Sequence, residues 1–558
     1  MDTRSHSQNA TLGWWRHNGT LPSSREETLQ EAIYDIHRPV AIVAKDGKYA
    51  LAESGVALMG EWENNAGGLP IAAYVPACHL KNLGDATFCA NYGLEYPYLA
   101  GSMANGICSA EIVEAMGRGG MLGFFGAAGL PLQAIEAAID RIASSLGDRP
   151  FGFNLIHSPN DPDLEAAVAD LYLRRNIRLV EASAYLDLTL PVVRYRVHGI
   201  YQDPSGRIIT PNRIIAKASR VEVASKFFAP PPEEFLRTLV ASGDITEEQA
   251  GLAGRIPMAQ DLTAEADSGG HTDNRPAITL LPTLLALRDR LQAEYGYEEP
   301  LRVGAAGGIA TPASASAAFS MGAAYVLTGT INQGAVEAGT SDMVREMLAE
   351  TKQADITMAP AADMFEMGVK VQVLKRGTMF AMRAARLYDI YHRCESLEAI
   401  PPAERNTLER SIFRAPLERI WEETRTYFQE RDPRQIARAD SDPKHRMALV
   451  FRWYLGQASR WATLGDASRK IDCQVWCGPA MGAFNAWVKG SFLEDPKNRR
   501  VVTIALNILY GTAVIVRLNS LRYQGVSLPP EWIVLKPLRL EKIFEFLTEK
   551  QGFRSTTN

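Results

Sequence analysis

Leu301-Arg302-Val303-Gly304-Ala305-Ala306-Gly307-Gly308-Ile309 opens as an apolar run and closes on a glycine pair. Residues 312–321 follow with apolar side chains at helical spacing, and a second apolar run, 324–328, ends in Gly329-Thr330. Strand, glycine turn, helix, strand, glycine turn is the repeating unit of a parallel sheet, whose neighbouring strands need a crossover that is usually a helix. Just upstream, Ser268-Gly269-Gly270-His271 places a second glycine pair, and beside it a titratable side chain, after another apolar run. One strand-end loop thus offers a backbone cradle and its neighbour an acid or base.

The same alternation extends back to Tyr98, with candidate strands at 98–102, 121–125, 151–155, 178–182, 213–217, 257–263, 301–305 and 324–328. Helical periodicity falls between them at 109–118, 131–145, 162–174, 277–295 and 312–321. Eight strand–helix repeats over about 240 residues suit an α/β fold of the (β/α)8 TIM barrel type, with an open doubly wound sheet as second choice. No G-x-G-x-x-G dinucleotide fingerprint occurs. Two interruptions exceed ordinary barrel loops: 198–212, containing Asp203-Pro204-Ser205-Gly206, reads as a hairpin, and 229–255, with Pro230-Pro231-Pro232 near its start, as a helical insertion. Residues 1–95 carry a separate N-terminal α/β pattern, 96–340 the barrel, and 341–558 a C-terminal helical region.

The 558 residues are 46% hydrophobic and 22% charged with a formal net charge of −5, which allows a large core and disfavours a nucleic-acid partner. The cysteines (78, 89, 108, 394, 473 and 477) show no framework spacing and point to a reducing compartment. Cys473 and Cys477 lack a second Cys/His pair at finger spacing, so no metal site is expected. Residues 1–19 lack a charged start leading into an apolar run, so no signal peptide is expected. The longest apolar run, 501–516, is shorter than the roughly 18 residues of a spanning helix and reads as a buried helix. These features predict a cytoplasmic protein without a membrane span.

Barrel active sites sit at the C-terminal ends of the strands. Strand one ends in Gly101-Ser102-Met103-Ala104, which lets a flat ring approach the backbone, and strand three in Asn154, whose amide can pair with a ring carbonyl or NH. Strand five ends in Lys217, a cation suited to negative charge on the N1/O2 edge of a reduced flavin. Strand six leads to Gly269-Gly270-His271, strand seven to Gly307-Gly308 and strand eight to Gly329-Thr330; the last two are where barrels commonly hold a phosphate. Singly each has a plainer reading: glycine pairs are common turn chemistry, a strand-end lysine is usually solvated, Asn154 can cap a turn through 159–161, and most of nine histidines are structural. Their gathering at one end of successive strands points to a flavin enzyme.

The runs Ser268-Gly269-Gly270-His271, Ala305-Ala306-Gly307-Gly308-Ile309 and Leu327-Thr328-Gly329-Thr330 resemble the FMN barrels of the nitronate monooxygenase (2-nitropropane dioxygenase) superfamily. Arg213-Ile214-Ile215-Ala216-Lys217-Ala218-Ser219, Ala359-Pro360-Ala361-Ala362-Asp363-Met364-Phe365-Glu366 and Gly478-Pro479-Ala480-Met481-Gly482 make the chain most similar to the PfaD-type, trans-acting enoyl reductases of polyketide and polyunsaturated fatty acid synthases, over residues 50–530. The resemblance implies an FMN phosphate held by Gly307, Gly308, Gly329 and Thr330, a ring near Gly101, Ser102, Met103, Ala104, Asn154, Lys217 and Gly269, and His271 as acid/base. It also implies hydride from NADPH through FMN to an enoyl thioester on an acyl carrier protein. Nitronate monooxygenases carry a glutamine seven residues before the histidine, where this chain has Ala264, and here Asp267 stands two before the glycine pair. That departure argues against nitroalkane chemistry.

An FMN oxygenase acting on nitronates, a non-catalytic scaffold subunit, and an isomerase or dehydratase use of the same pocket are the alternatives. Arg434, Arg438, Lys444, Arg446, Arg452, Arg460, Arg469 and Lys470 form a candidate docking face for an acidic carrier protein, with a solvated helical face as the plainer reading. Assembly as a homodimer is left open.

Overall fold

A computed structural model describes residues 12–45, 47–60, 68–158 and 162–547. Residues 1–11 of the expected N-terminal segment, and the 159–161 turn, lie outside them. Eight strands close into a barrel: Tyr98–Ala100, Leu122–Phe125, Gly152–Ile156, Leu179–Ser183, Arg213–Ala218, Asp261–Glu265, Arg302–Ala306 and Val326–Thr328. Neighbours run parallel throughout, and the last pairs with the first through Val326–Tyr98, Leu327–Leu99 and Thr328–Ala100. These are the eight expected strands, within a few residues at each end. Strand six alone starts markedly late, at Asp261 rather than Pro257, because Met258 and Ala259 donate their backbone NH groups to Ala229 and Phe227 instead of to a barrel neighbour.

Alternate residues of each strand point inward, so Leu99, Leu122, Ile215, Tyr325 and Leu327 fill the barrel. The helix Ala86–Tyr92 plugs its lower end, with Phe88 stacked on Tyr325 at 4.2 Å. There Arg302 pairs with Asp261 at 2.6 Å, both buried, and the Tyr92 hydroxyl donates to the same carboxylate at 2.7 Å. The barrel is therefore a packed core with a single usable mouth, at the C-terminal strand ends. The hairpin Tyr201–Gln202/Ile208–Ile209 and the helices Glu233–Ala241 and Glu247–Ala253 occupy the two long interruptions. An antiparallel five-stranded sheet with the helix Glu26–Tyr34 precedes the barrel.

Two features differ from the expectation for the C-terminal region. It is not wholly helical: Ile356–Pro360 and Lys370–Leu374 form a small antiparallel sheet with Gly270–His271. Nor does the barrel end near residue 340. The helix Val501–Tyr523 packs on Pro312–Ser320 and on Ala110–Arg118, the helices that follow strands seven and one, and the Thr512 hydroxyl donates to the Pro312 carbonyl at 3.2 Å. It takes the place of the eighth barrel helix, so residues 329–500 are inserted between strand eight and its helix. By length and composition this helix could cross a membrane, but 89% of its apolar window is buried inside the molecule. It outruns the expected end at 516 because Arg517 is itself buried, donating to the carbonyls of Ile33, Pro76 and Ala32.

Candidate active site

Lys217 ends strand five facing the barrel axis, nearly buried, with its Nζ 2.8 Å from Glu265 Oε1 on strand six and 4.0 Å from Glu181 Oε2 on strand four. Burial pulls its pKa down, but the two carboxylates outweigh that and hold it above its ordinary value, so the ammonium is charged at neutral pH. Glu181 was not anticipated, although a lone acid inside the apolar run Leu179-Val180-Glu181-Ala182 is a legible signal. Glu181 Oε2 accepts hydrogen bonds from the Ser102 backbone NH at 2.9 Å and from the Ser102 hydroxyl, which ties the strand-one loop to the barrel interior. Asn154 Nδ2 donates to the Glu181 carbonyl at 3.1 Å and to Ser183 Oγ at 3.0 Å. Its amide NH2 is thus spent within the barrel wall, leaving only Oδ1 to meet a ligand.

Gly307 and Gly308 both take positive φ, +82° and +76°. A Cβ on Gly307 would stand 2.5 Å from the Ala266 backbone, whereas Gly308 and Gly329 face open space on that side. Gly329 caps the short helix Thr330–Gln333, and Ser268 Oγ is buried with no hydrogen-bond partner among the described residues. Open space bounded by glycine backbone and short hydroxyls is what a phosphate needs.

The strand-six loop is held from the C-terminal region. His271 pairs in the sheet with Val371, and its Nε2 lies 3.0 Å from Asp363 Oδ2. Burial lowers the His271 pKa, but the hydrogen bond and charge of Asp363 outweigh it and the net shift is upward. Gln372 Nε2 donates to Asp267 Oδ1 at 2.8 Å and to the Ser268 carbonyl at 2.7 Å, while Asn274 Nδ2 donates to Asp267 at 2.9 Å. Asp267 therefore anchors the loop, and Ala264, 2% exposed, is packed in the core around the barrel. A Cβ on Gly269 would meet the Cys477 nitrogen at 2.9 Å, so only glycine lets the loop lie against 477–478. Asp273, set to about 2 chiefly by its Arg220 hydrogen bond, joins this loop to the one after strand five through Ser219 and Arg220. Asp363 and Gln372 were missed as site residues because they lie about 100 positions downstream of the loop they serve.

The sequence profile of the nitronate monooxygenase family matches residues 88–398, more than half of the chain. The chain belongs to the nitronate monooxygenase family. A second profile, the inserted helical domain of acyl-carrier-protein S-malonyltransferase, matches residues 394–473. A polyunsaturated fatty acid synthase subunit from Thraustochytrium sp. is 49% identical over 458 residues, 81% of this chain and 31% of its own length. Polyketide biosynthesis protein PksE of Bacillus subtilis is 45% identical over 437 residues, 78% of this chain and 57% of its own length. The crystal structure of the enoyl reductase domain of MlnA, from the macrolactin biosynthesis cluster of Bacillus amyloliquefaciens, matches with a TM-score of 0.75 at 42% identity, covering 79% of this chain and 100% of that one. The chain thus spans about a third of the Thraustochytrium protein and little more than half of PksE. Within the nitronate monooxygenase family it groups with these proteins of polyketide and polyunsaturated fatty acid biosynthesis.

Nitronate monooxygenase family membership makes a flavin the expected occupant, and the residues present fit one: a glycine cradle for a phosphate, an orphaned Ser268 hydroxyl beside it, and a buried ammonium at the mouth. Among the described residues no group of three or more His, Cys, Asp or Glu is placed to hold a metal ion. The candidate docking cations are largely spent inside the chain: Arg434 pairs with Asp432 and Asp163, Lys444 with Glu395, Arg452 with Glu366 and Arg469 with Asp472. Arg460 and Lys470 remain exposed.

Proposed function

We propose that the protein is an FMN-dependent oxidoreductase that reduces enoyl thioesters carried on an acyl carrier protein, in polyketide or polyunsaturated fatty acid biosynthesis, with NADPH as hydride source. The observation that carries this reading is the His271–Asp363 pair. An imidazole whose protonated form is favoured by a carboxylate partner suits giving a proton to a carbon rather than removing an α-proton. The 42% identity to the MlnA enoyl reductase domain over its whole length supports the same reading.

Bound FMN would supply hydride to the β-carbon of the substrate. Gly307, Gly308, Gly329 and Thr330 hold its phosphate on backbone NH groups and a hydroxyl. Gly101, Ser102, Met103, Ala104, Asn154 and Gly269 would line the ring, and Lys217 would supply a cation to stabilise negative charge on it. His271, with Nε2 held by Asp363, presents Nδ1 to the thioester and delivers the proton that the α-carbon needs. The carrier protein brings the thioester to the mouth from outside.

The family relationship favours a second reading, an FMN oxygenase acting on nitronates, in which His271 would work as a base. Anaerobic mixing of the reduced holoprotein with a crotonyl thioester separates the two: the enoyl reductase reoxidises its flavin without oxygen, and reoxidation by oxygen alone sinks the proposal. Purified protein that is colourless and takes up no FMN would indicate a scaffold role instead.

A further inference from the structure

Beneath the mouth lies a charge imbalance that the proposed reaction leaves unused. Lys217 is flanked by two carboxylates, Glu265 at 2.8 Å and Glu181 at 4.0 Å, so the ionised cluster carries one excess negative charge. Glu265 is 24% exposed and forms the tight ion pair; Glu181 is fully buried, and its Oε1 has no hydrogen-bond partner among the described residues. Buried polar atoms without partners are rare and mark groups with work to do. The other groups facing Glu181 add no cation: Ser102 donates to Oε2, and Cys108 and Tyr325 are neutral and buried. Ser102 is half-buried at the strand-one loop, giving a polar link from Glu181 toward the mouth.

We propose that Glu181 is the proton acceptor that compensates the negative charge placed at this site when the flavin is reduced. The inference rests on the FMN reading above. Hydride from a dihydronicotinamide would break its C–H bond, form an N–H bond on a bound flavin and leave one added negative charge there, which Lys217 and the carboxylates around it would have to balance. A proton from solvent then bonds to Glu181 Oε1, restoring the local charge; it returns to solvent when the enoyl thioester takes the hydride and His271 supplies the α-proton. Glu181 is better placed for this than Glu265, because protonating Oε1 breaks no hydrogen bond and leaves the ion pair of Lys217 intact. Burial already raises its pKa, against the opposing pull of Lys217. Glu181 acts through Lys217 and Ser102, so it is a positioning and charge-balancing residue.

The test is the pH dependence of the bound FMN midpoint potential, measured in the full-length holoprotein from about pH 6 to about pH 9 together with the reduced-minus-oxidised infrared difference spectrum. For a two-electron couple each proton taken up adds about 30 mV per pH unit. Wild type is expected to fall by about 60 mV per pH unit and to gain a protonated-carboxyl band that shifts in D2O; Glu181→Gln should fall by about 30 mV and lack the band. A slope of about 30 mV in wild type, or the same steep slope in both proteins, overturns the proposal. If the variant does not fold, the wild-type spectrum decides alone, since reduction without a new carboxyl band contradicts the assignment. Wild-type protein that takes up no FMN at all brings down the functional reading and this proposal together, whereas bound FMN with the shallow slope brings down this one only.

Discussion

At the scale of single residues, the account turns on His271. Its imidazolium is favoured because Asp363 lies 3.0 Å from Nε2, and its pKa sits above the ordinary value, so the charged form persists to higher pH than in a free imidazole and is lost as pH rises through that raised value. Asp363 moves the opposite way: burial raises it, but the His271 hydrogen bond and charge bring it below the usual carboxylate range. Activity that needs the imidazolium should therefore be full on the acid side and fall on the alkaline side. Asp363→Asn removes the larger raising influence and leaves burial opposed only by the charge of Glu265, so the alkaline limb of kcat/KM should move to lower pH; an unmoved limb would remove the pair from the mechanism. His271→Ala should keep bound FMN, read from its visible spectrum, yet lose about 10²–10⁴-fold in enoyl turnover. Low in the barrel, Asp261→Asn strips the charge partner from buried Arg302 and should cost about 3–5 kcal/mol in denaturant unfolding.

At the scale of elements, the strand-six loop is built from two distant parts of the chain. Gln372, on the strand Lys370–Leu374, holds both Asp267 and the Ser268 carbonyl, so Gln372→Leu should loosen the His271 loop. The expected outcome is a loss of about 10- to 10²-fold in kcat with FMN affinity unchanged, because a displacement of about 1 Å at the reacting groups is enough for that. The barrel strands were legible because each is a short apolar run between glycine turns and amphipathic helices, a pattern local in sequence. The glycine turns at Gly307-Gly308 and before the helix Thr330–Gln333 were legible for the same reason. Asp363, Gln372 and the sheet on which His271 lies were not, because their meaning arises only when a late segment folds back on an early loop. The strand pair 356–374 was hidden within a region whose long helices dominate the periodicity. Asn154 is legible as a barrel residue, but its amide NH2 serves the neighbouring strand, a pairing that only the closed barrel reveals.

At the scale of the whole molecule, the C-terminal region completes the barrel as well as the site. A chain ending at about residue 500 would lose Val501–Tyr523 and bare the helices on either side of it. Each buried aliphatic side chain is worth about 1.5–3 kcal/mol, and this helix buries more than a dozen residues against a net stability of about 5–15 kcal/mol. That truncated chain should show no cooperative thermal transition, even though all eight strands are present. The same insertion brings Asp363 to His271. Enoyl reduction is the central claim, and anaerobic stopped-flow tests it most directly. FMN-loaded protein, reduced with NADPH and mixed with a crotonyl thioester in the absence of oxygen, should recover its oxidised flavin spectrum with saturated thioester formed in equal amount; a flavin that stays reduced until oxygen is admitted would contradict it.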